Sequence, residues 1–286
     1  MPEVRSDRLI LLDLVANSGE ILAVGERGIV LRSLDDGKHW LASSTPTTRT
    51  LTGIAFQDPR HGVIVGHGGT ILRTVDGGAT WHPADIDLGT DSVLGVIHLG
   101  DGRYVAWGAF GLYAESADGG ATWRRRAILG ADFDRHISQI VRIGPTGLLL
   151  VGESGSLARS DDDGTHWTAL TSPYDGSFFG ALAVEDGNWL IFGMRGSLYR
   201  SVDQGGSWRK IDLDTKLALM SGRQLPDGRI LLVGNAGLMA LSRDHGSSFT
   251  LGTSARGLGF AQTAVTARGT VIAVGEGGVL SLTLAP

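Results

Sequence analysis

The strongest constraint on this chain is a repeat. The eight-residue pattern S/T-x-D-x-G-x-x-W/F occurs six times, as Ser33-Asp35-Gly37-Trp40, Thr74-Asp76-Gly78-Trp81, Ser116-Asp118-Gly120-Trp123, Ser160-Asp162-Gly164-Trp167, Ser201-Asp203-Gly205-Trp208 and Ser242-Asp244-Gly246-Phe249. Its closing aromatics stand at 40, 81, 123, 167, 208 and 249, so the steps are 41, 42, 44, 41 and 41 residues. A period near 40 belongs to propeller blades or solenoid coils. A second signature, G-x-x-G followed by an alternating apolar run, begins at Gly25, Gly66, Gly108, Gly152, Gly193, Gly234 and Gly275. It precedes every box and occurs once more without one, which makes seven repeats with the last incomplete.

The repeat fills the chain almost from end to end, so residues 1–286 read as one domain with no linker. With 42% hydrophobic residues the chain can bury a sizeable core, and 44 glycines against 8 prolines indicate many tight turns rather than disorder. No apolar stretch is long enough to span a bilayer as a helix, and residues 1–8 lack the apolar core of an export leader. The absence of cysteine excludes disulfides and Cys-ligated zinc. A formal charge of -5 disfavours broad binding to nucleic acid, which demands excess basic charge.

The second repeat lays out the blade. Leu51–Phe56 reads as a first strand, residues 57–60 as a turn, Gly62–Gly66 as a second strand and Thr70–Thr74 as a third, and the box then turns the chain into a fourth near Trp81. Four short antiparallel strands make a sheet that requires a neighbour on each face. A closed ring supplies those neighbours and leaves only short outer edges, which predicts an all-β, seven-bladed β-propeller. The seventh repeat supplies strands near 259–266, 270–274 and 278–283 and then stops, while the first strand of repeat one falls near Leu9–Val15. Residues 2–6 are therefore expected to add the missing outer strand of the last blade. Gly53, Gly95, Gly180 and Ser221 recur at one inner-strand position, where small side chains permit close approach.

The box is a turn device. Ser/Thr and Asp side chains accept backbone donors, glycine supplies a positive φ, and the aromatic packs on the hairpin it closes. Such motifs resemble the Asp boxes of BNR repeats. Together with seven repeats and the G-[EH]-x-G turns, they make the chain resemble the Ycf48/HCF136-like family of photosystem II stability and assembly factor-like propellers. The resemblance covers nearly the whole chain. It implies a non-enzymatic scaffold that binds a protein partner, such as a membrane-protein assembly intermediate or transporter component, with no cofactor. It also implies a periplasmic or otherwise exported location, although the chain shows no leader, and a monomer is expected.

In a propeller of this strand order, the turn after the second strand and the link to the next blade share one end, opposite the boxes. That end carries a varied set, including Glu26, Arg27, His67, Ala109, Phe110, Glu153, Met194, Arg195, Asn235 and Glu276 on turns, and Arg49, Arg135, His136, Tyr174, Phe178, Phe179 and Arg256 on links. Departure from the repeat is where function is written on a symmetric frame. The candidate partner-binding residues are Arg27, Arg49, His67, Arg135, His136, Glu153, Phe178, Arg195 and Arg256. The arginines present forks suited to carboxylates, the histidines titrate near neutrality, and Phe178 offers an apolar anchor. Equally, solvated arginines and ordinary turn histidines would account for these positions. The Arg124-Arg125-Arg126 run reads as an outer edge blocked by charge. Asp161-Asp162-Asp163-Gly164 lacks the alternating ligands of a calcium loop.

The alternative is a glycan-binding or glycoside-hydrolysing BNR propeller, since sialidases share the box. Their chemistry resembles an arginine triad with a Tyr/Glu nucleophilic pair on six blades. Here there are seven repeats, and Tyr113 and Tyr199 fall in third strands. Glu26, Glu153, Asp175 and Glu276 are the carboxylates available for paired acid chemistry, and three of these repeat at one turn position, which points to a structural role.

Overall fold

The computed structural model describes residues 5–86 and 88–284, which are almost wholly strand and turn. The architecture is a seven-bladed β-propeller with four antiparallel strands per blade; among the described residues six sheets have four strands and the last has three. The blades belong to two compact units. Residues 5–126 and 261–284 form one, holding blades 1, 2, 3 and 7, and Ala127–Phe260 forms the other, holding blades 4, 5 and 6.

Blade 2 follows the sequence closely: strands Leu51–Phe56, Gly62–Gly66, Thr70–Thr74 and His82–Pro83, paired in that order. The second strands Gly62–Gly66, Leu148–Gly152, Trp189–Gly193, Ile230–Gly234 and Val271–Gly275 are buried at every position, so they read as continuous apolar runs rather than alternation. Each fully buried Val, Ile or Leu there contributes roughly 1.5–3 kcal/mol. Outer strands are short and blunted. Arg124–Arg125 and Arg209–Lys210 put exposed charge on the edge, and His82–Pro83 puts a proline there. Of the basic run, Arg125 pairs with Asp91 at 3.0 Å, while Arg126 pairs with Glu115 at 3.0 Å and lies over the Tyr113 ring.

Successive first strands are tied to each other one repeat apart. In the first unit Asp13 Oδ2 accepts the Ile54 amide at 2.9 Å and Thr52 Oγ1 donates to Val93 O at 2.6 Å; in the second, Gln139 Oε1 accepts the Ala181 amide at 2.8 Å. The inner glycines have two reasons for being small. A Cβ on Gly53 would crowd Gly95, as close approach of neighbouring strands predicts. Gly95 and Gly180, however, face Trp107 and Phe192 across their own sheets, and the aromatic ring covers the glycine.

The boxes close third to fourth strands alike. Thr74 Oγ1 accepts the Gly78 amide at 2.9 Å and donates to Asp76 Oδ1 at 2.7 Å. Asp76 then accepts the Thr80 amide at 3.0 Å and the Thr80 hydroxyl at 2.6 Å. Ser33, Ser116, Ser160, Ser201 and Ser242 repeat the bond to glycine at 2.8–3.0 Å. In boxes 1 and 4 an imidazole replaces the hydroxyl, with His39 and His166 Nδ1 at 2.5 and 2.6 Å from the Asp35 and Asp162 carboxylates. Burial pushes the Asp76 carboxyl up, but the bonds from Thr80 and Thr74 outweigh it and hold it at about 2.

The expected closing strand at residues 2–6 lies mostly outside the described residues. Ser6–Arg8 form a single helical turn rather than a strand, and the Ser6 carbonyl sits on Gly278, leaving no room there for a Cβ.

Candidate functional site

Six of the G-x-x-G turns begin with a glycine because the preceding link crosses directly over it. A Cβ at Gly25, Gly66, Gly108, Gly152, Gly193 or Gly234 would strike the link's carbonyl, at Ile10, Thr50, Ser92, His136, Ser177 or Ala218 respectively. The same carbonyls accept the next amide of the turn at 2.9–3.0 Å. Turn and link are thus bonded together at one end of every one of these six blades. The boxes hold the other end: the Gly77, Gly119 and Asp163 amides donate to Arg60, Gly102 and Thr146 carbonyls in the turn between first and second strands.

The third turn residue is forced into the left-handed region. Arg27, Phe110, Ser154, Arg195 and Ala236 have φ of 51–57°, and Gly68 takes the same place in blade 2 with φ 64°. All five non-glycine side chains are exposed, since the turn is closed by main-chain bonds beneath them. Holding a branched or aromatic side chain in this region is strained, and such strain concentrates where a protein makes contacts.

The second turn residue is used differently. Glu26 Oε1 accepts the Ile10 amide at 3.1 Å and Glu153 Oε2 accepts the His136 amide at 3.0 Å, one equivalent bond in two blades. Glu153 therefore clamps its own link, and His136 Nδ1 lies 3.5 Å from the same carboxylate. The expected structural role for the repeated glutamates holds at these two positions.

Arg49 and Arg135 form a matching pair from the two units. Each stands two residues before a first strand and donates through Nη1 to the carbonyl of the third turn residue, Gly68 or Ser154, the latter at 3.2 Å. Both guanidinium groups remain exposed. In the first unit the structure thus brings Arg27, Arg49 and His67 to the turn-and-link ends of adjacent blades, with the Arg27 side chain 87% exposed. In the second unit Arg135, His136, Glu153, Arg195 and Arg256 lie at the equivalent ends.

Phe178 is a correction to the sequence reading. It is 0% exposed, packed edge-on against Tyr174 and Tyr199, because its pairing with Gly193 turns its side chain into the core. It therefore forms no anchor, and Phe179 beside it is half-buried. Phe110, by contrast, is 59% exposed at the apex of the blade 3 turn. A bulky residue at a turn position that repeat two fills with glycine is the signal in the sequence that marks it.

Solved structures share this fold. One described as "YCF48 bound to D1 peptide" aligns with a TM-score of 0.80 and 18% identity, covering 98% of this chain and 93% of that one. A second, "YCF48 from Cyanidioschyzon merolae", gives 0.78 and 16% over 98% and 97%. Among curated relatives, the photosystem II assembly lipoprotein Ycf48 of Synechococcus sp. (strain CC9902) is 28% identical over 161 residues, 55% of this chain and 48% of that protein. The match thus spans about half the length of that relative. The family model described as "Photosynthesis system II assembly factor YCF48" matches residues 38–285, and the chain belongs to that family.

Proposed function

We infer that this chain is a non-enzymatic scaffold that binds a protein partner, as an assembly or accessory factor for a membrane protein complex, through the turn-and-link ends of its blades. One observation carries the reading. In a chain of net charge -5, Arg27 and Arg195 are each held outward on a left-handed turn residue whose main-chain bonds require no side chain. Guanidinium forks so placed suit carboxylates of a partner segment. Family membership and the neighbour described as bound to a D1 peptide support a membrane-protein partner. The lipoprotein names of relatives support an exported, periplasmic location.

A labelled D1 peptide is the first probe. Arg27→Glu and Arg195→Glu, singly and together, should weaken binding about tenfold or more and flatten its salt dependence. Retrieval of a membrane protein from extract should be lost in the double variant. Affinity unchanged in all three variants, or sialoside or glucan turnover by the purified wild type, would overturn the reading.

A further inference from the structure

Main-chain bonds close the blade 3 turn. Gly108 N–H donates to Leu112 O and Leu112 N–H to Ala109 O, both at 3.0 Å, and Leu112 is buried in the core beneath together with Leu88. Phe110 stands at its apex with φ 53°, a conformation that favours glycine and, less strongly, asparagine, and leaves an aromatic ring 59% exposed. Two penalties fall on one residue, while the equivalent position in blade 2 is Gly68.

The link between these two blades joins their turns. Gly69 N–H donates to Asp91 O at 2.8 Å, and Ala109 N–H to Ser92 O at 2.9 Å. On the blade 2 side of that link lies a cleft of about 260 Å³ lined by Thr47, Thr70 and Arg49 as well as Pro46, Pro83 and Ile86. The acidic residue of the link, Asp91, is already paired with Arg125 at 3.0 Å. A cation in a cleft of mixed polar and apolar lining, one turn from an exposed ring, is complementary to an extended segment that alternates acidic and aliphatic side chains.

We propose that Phe110 is the apolar anchor of the partner-binding surface, seating an aliphatic side chain of an extended acidic segment whose carboxylate meets Arg49. This rests on the scaffold function above and names the partner's chemistry. Large aromatic anchors carry most of the energy of such contacts.

Three labelled synthetic peptides test it by fluorescence anisotropy: alternating Glu/Leu, alternating Lys/Leu and alternating Glu/Ser. The wild type should bind Glu/Leu in preference to both others. Phe110→Gly and Phe110→Asn, residues that tolerate the left-handed turn, should weaken that binding roughly tenfold or more. Both should melt no lower than the wild type, and Ala236→Gly, at the same turn position in blade 6, should leave affinity unchanged. Equal affinity in the Phe110 variants, Glu/Ser binding as tightly as Glu/Leu, or no binding of any of the three overturns the anchor. The scaffold function is judged separately, by the arginine variants.

Discussion

Two box tryptophans that look equivalent in sequence should differ several-fold in what they contribute. Trp81 is 4% exposed and packs with Leu22, Val24, Val30, Leu51, Ile54, Ile64 and Leu72, drawn from blades 1 and 2, and meets Phe56 edge-on at 6.1 Å. Trp208 is only half-buried, against the edge of the cluster around Tyr199 and Trp189. A tryptophan buries about 150–250 Å², which at roughly 25 cal/mol/Å² is about 4–6 kcal/mol before subtracting what alanine retains. Trp81→Ala should therefore cost about 3–5 kcal/mol, in line with large-to-small core changes. Half that burial, with little cavity left behind, puts Trp208→Ala near 1–2 kcal/mol by the same area scale. At about 2–4 °C per kcal/mol, thermal melts followed by far-UV circular dichroism should place Trp81→Ala roughly 6–20 °C below the wild type and Trp208→Ala only a few degrees below. Equal shifts, or a Trp81→Ala change smaller than that of Trp208→Ala, would refute the claim that burial rather than box membership sets the contribution.

Acid should loosen the boxes. Bonds from the Ser207 hydroxyl and amide, and from the Ser201 hydroxyl, hold Asp203 at about 2, and Asp76, Asp118, Asp162 and Asp244 stand at about the same value. A carboxyl depressed in the folded state stabilises fully above its unfolded value near 4 and loses that contribution as pH falls towards 2. Melting temperature should stay level from about pH 7 to 5 and drop between about pH 4 and 2; a flat profile through that lower range would contradict it. Gly278→Ala combines a φ of 71° with a collision against the Ser6 carbonyl, so it should lower the melting temperature. An unchanged melt would show that the Ser6–Arg8 turn does not hold the last blade.

Strand positions were legible wherever a turn motif lay on both sides. Leu51–Phe56, Gly62–Gly66 and Thr70–Thr74 fall where the box and the G-x-x-G spacing put them. Away from such brackets the bounds drift: the first strand runs Leu11–Asn17 rather than starting near Leu9, because only the pairing with Glu20–Gly25 fixes it. The candidate site was legible as a set of ends but not as contacts. That Arg49 lies over Gly68 follows from the link crossing the turn, which no local pattern announces. Phe178 and Phe179 are adjacent and similar, and a one-residue slip of register exchanges their faces, so the choice belongs to the pairing with Gly193.

By itself, the sequence determined the kind of blade and how many there are, because box and turn are closed by bonds within a few residues and so act identically wherever they recur. Only the tertiary structure decided which copy of a repeated residue is core and which is surface. Trp40 and Trp81 are buried while Trp123, Trp167 and Trp208 are half-buried, and Phe178 is hidden while Phe110 is exposed. Burial is settled by what the neighbouring sheet brings against a side chain, and that neighbour lies a whole repeat away in the chain.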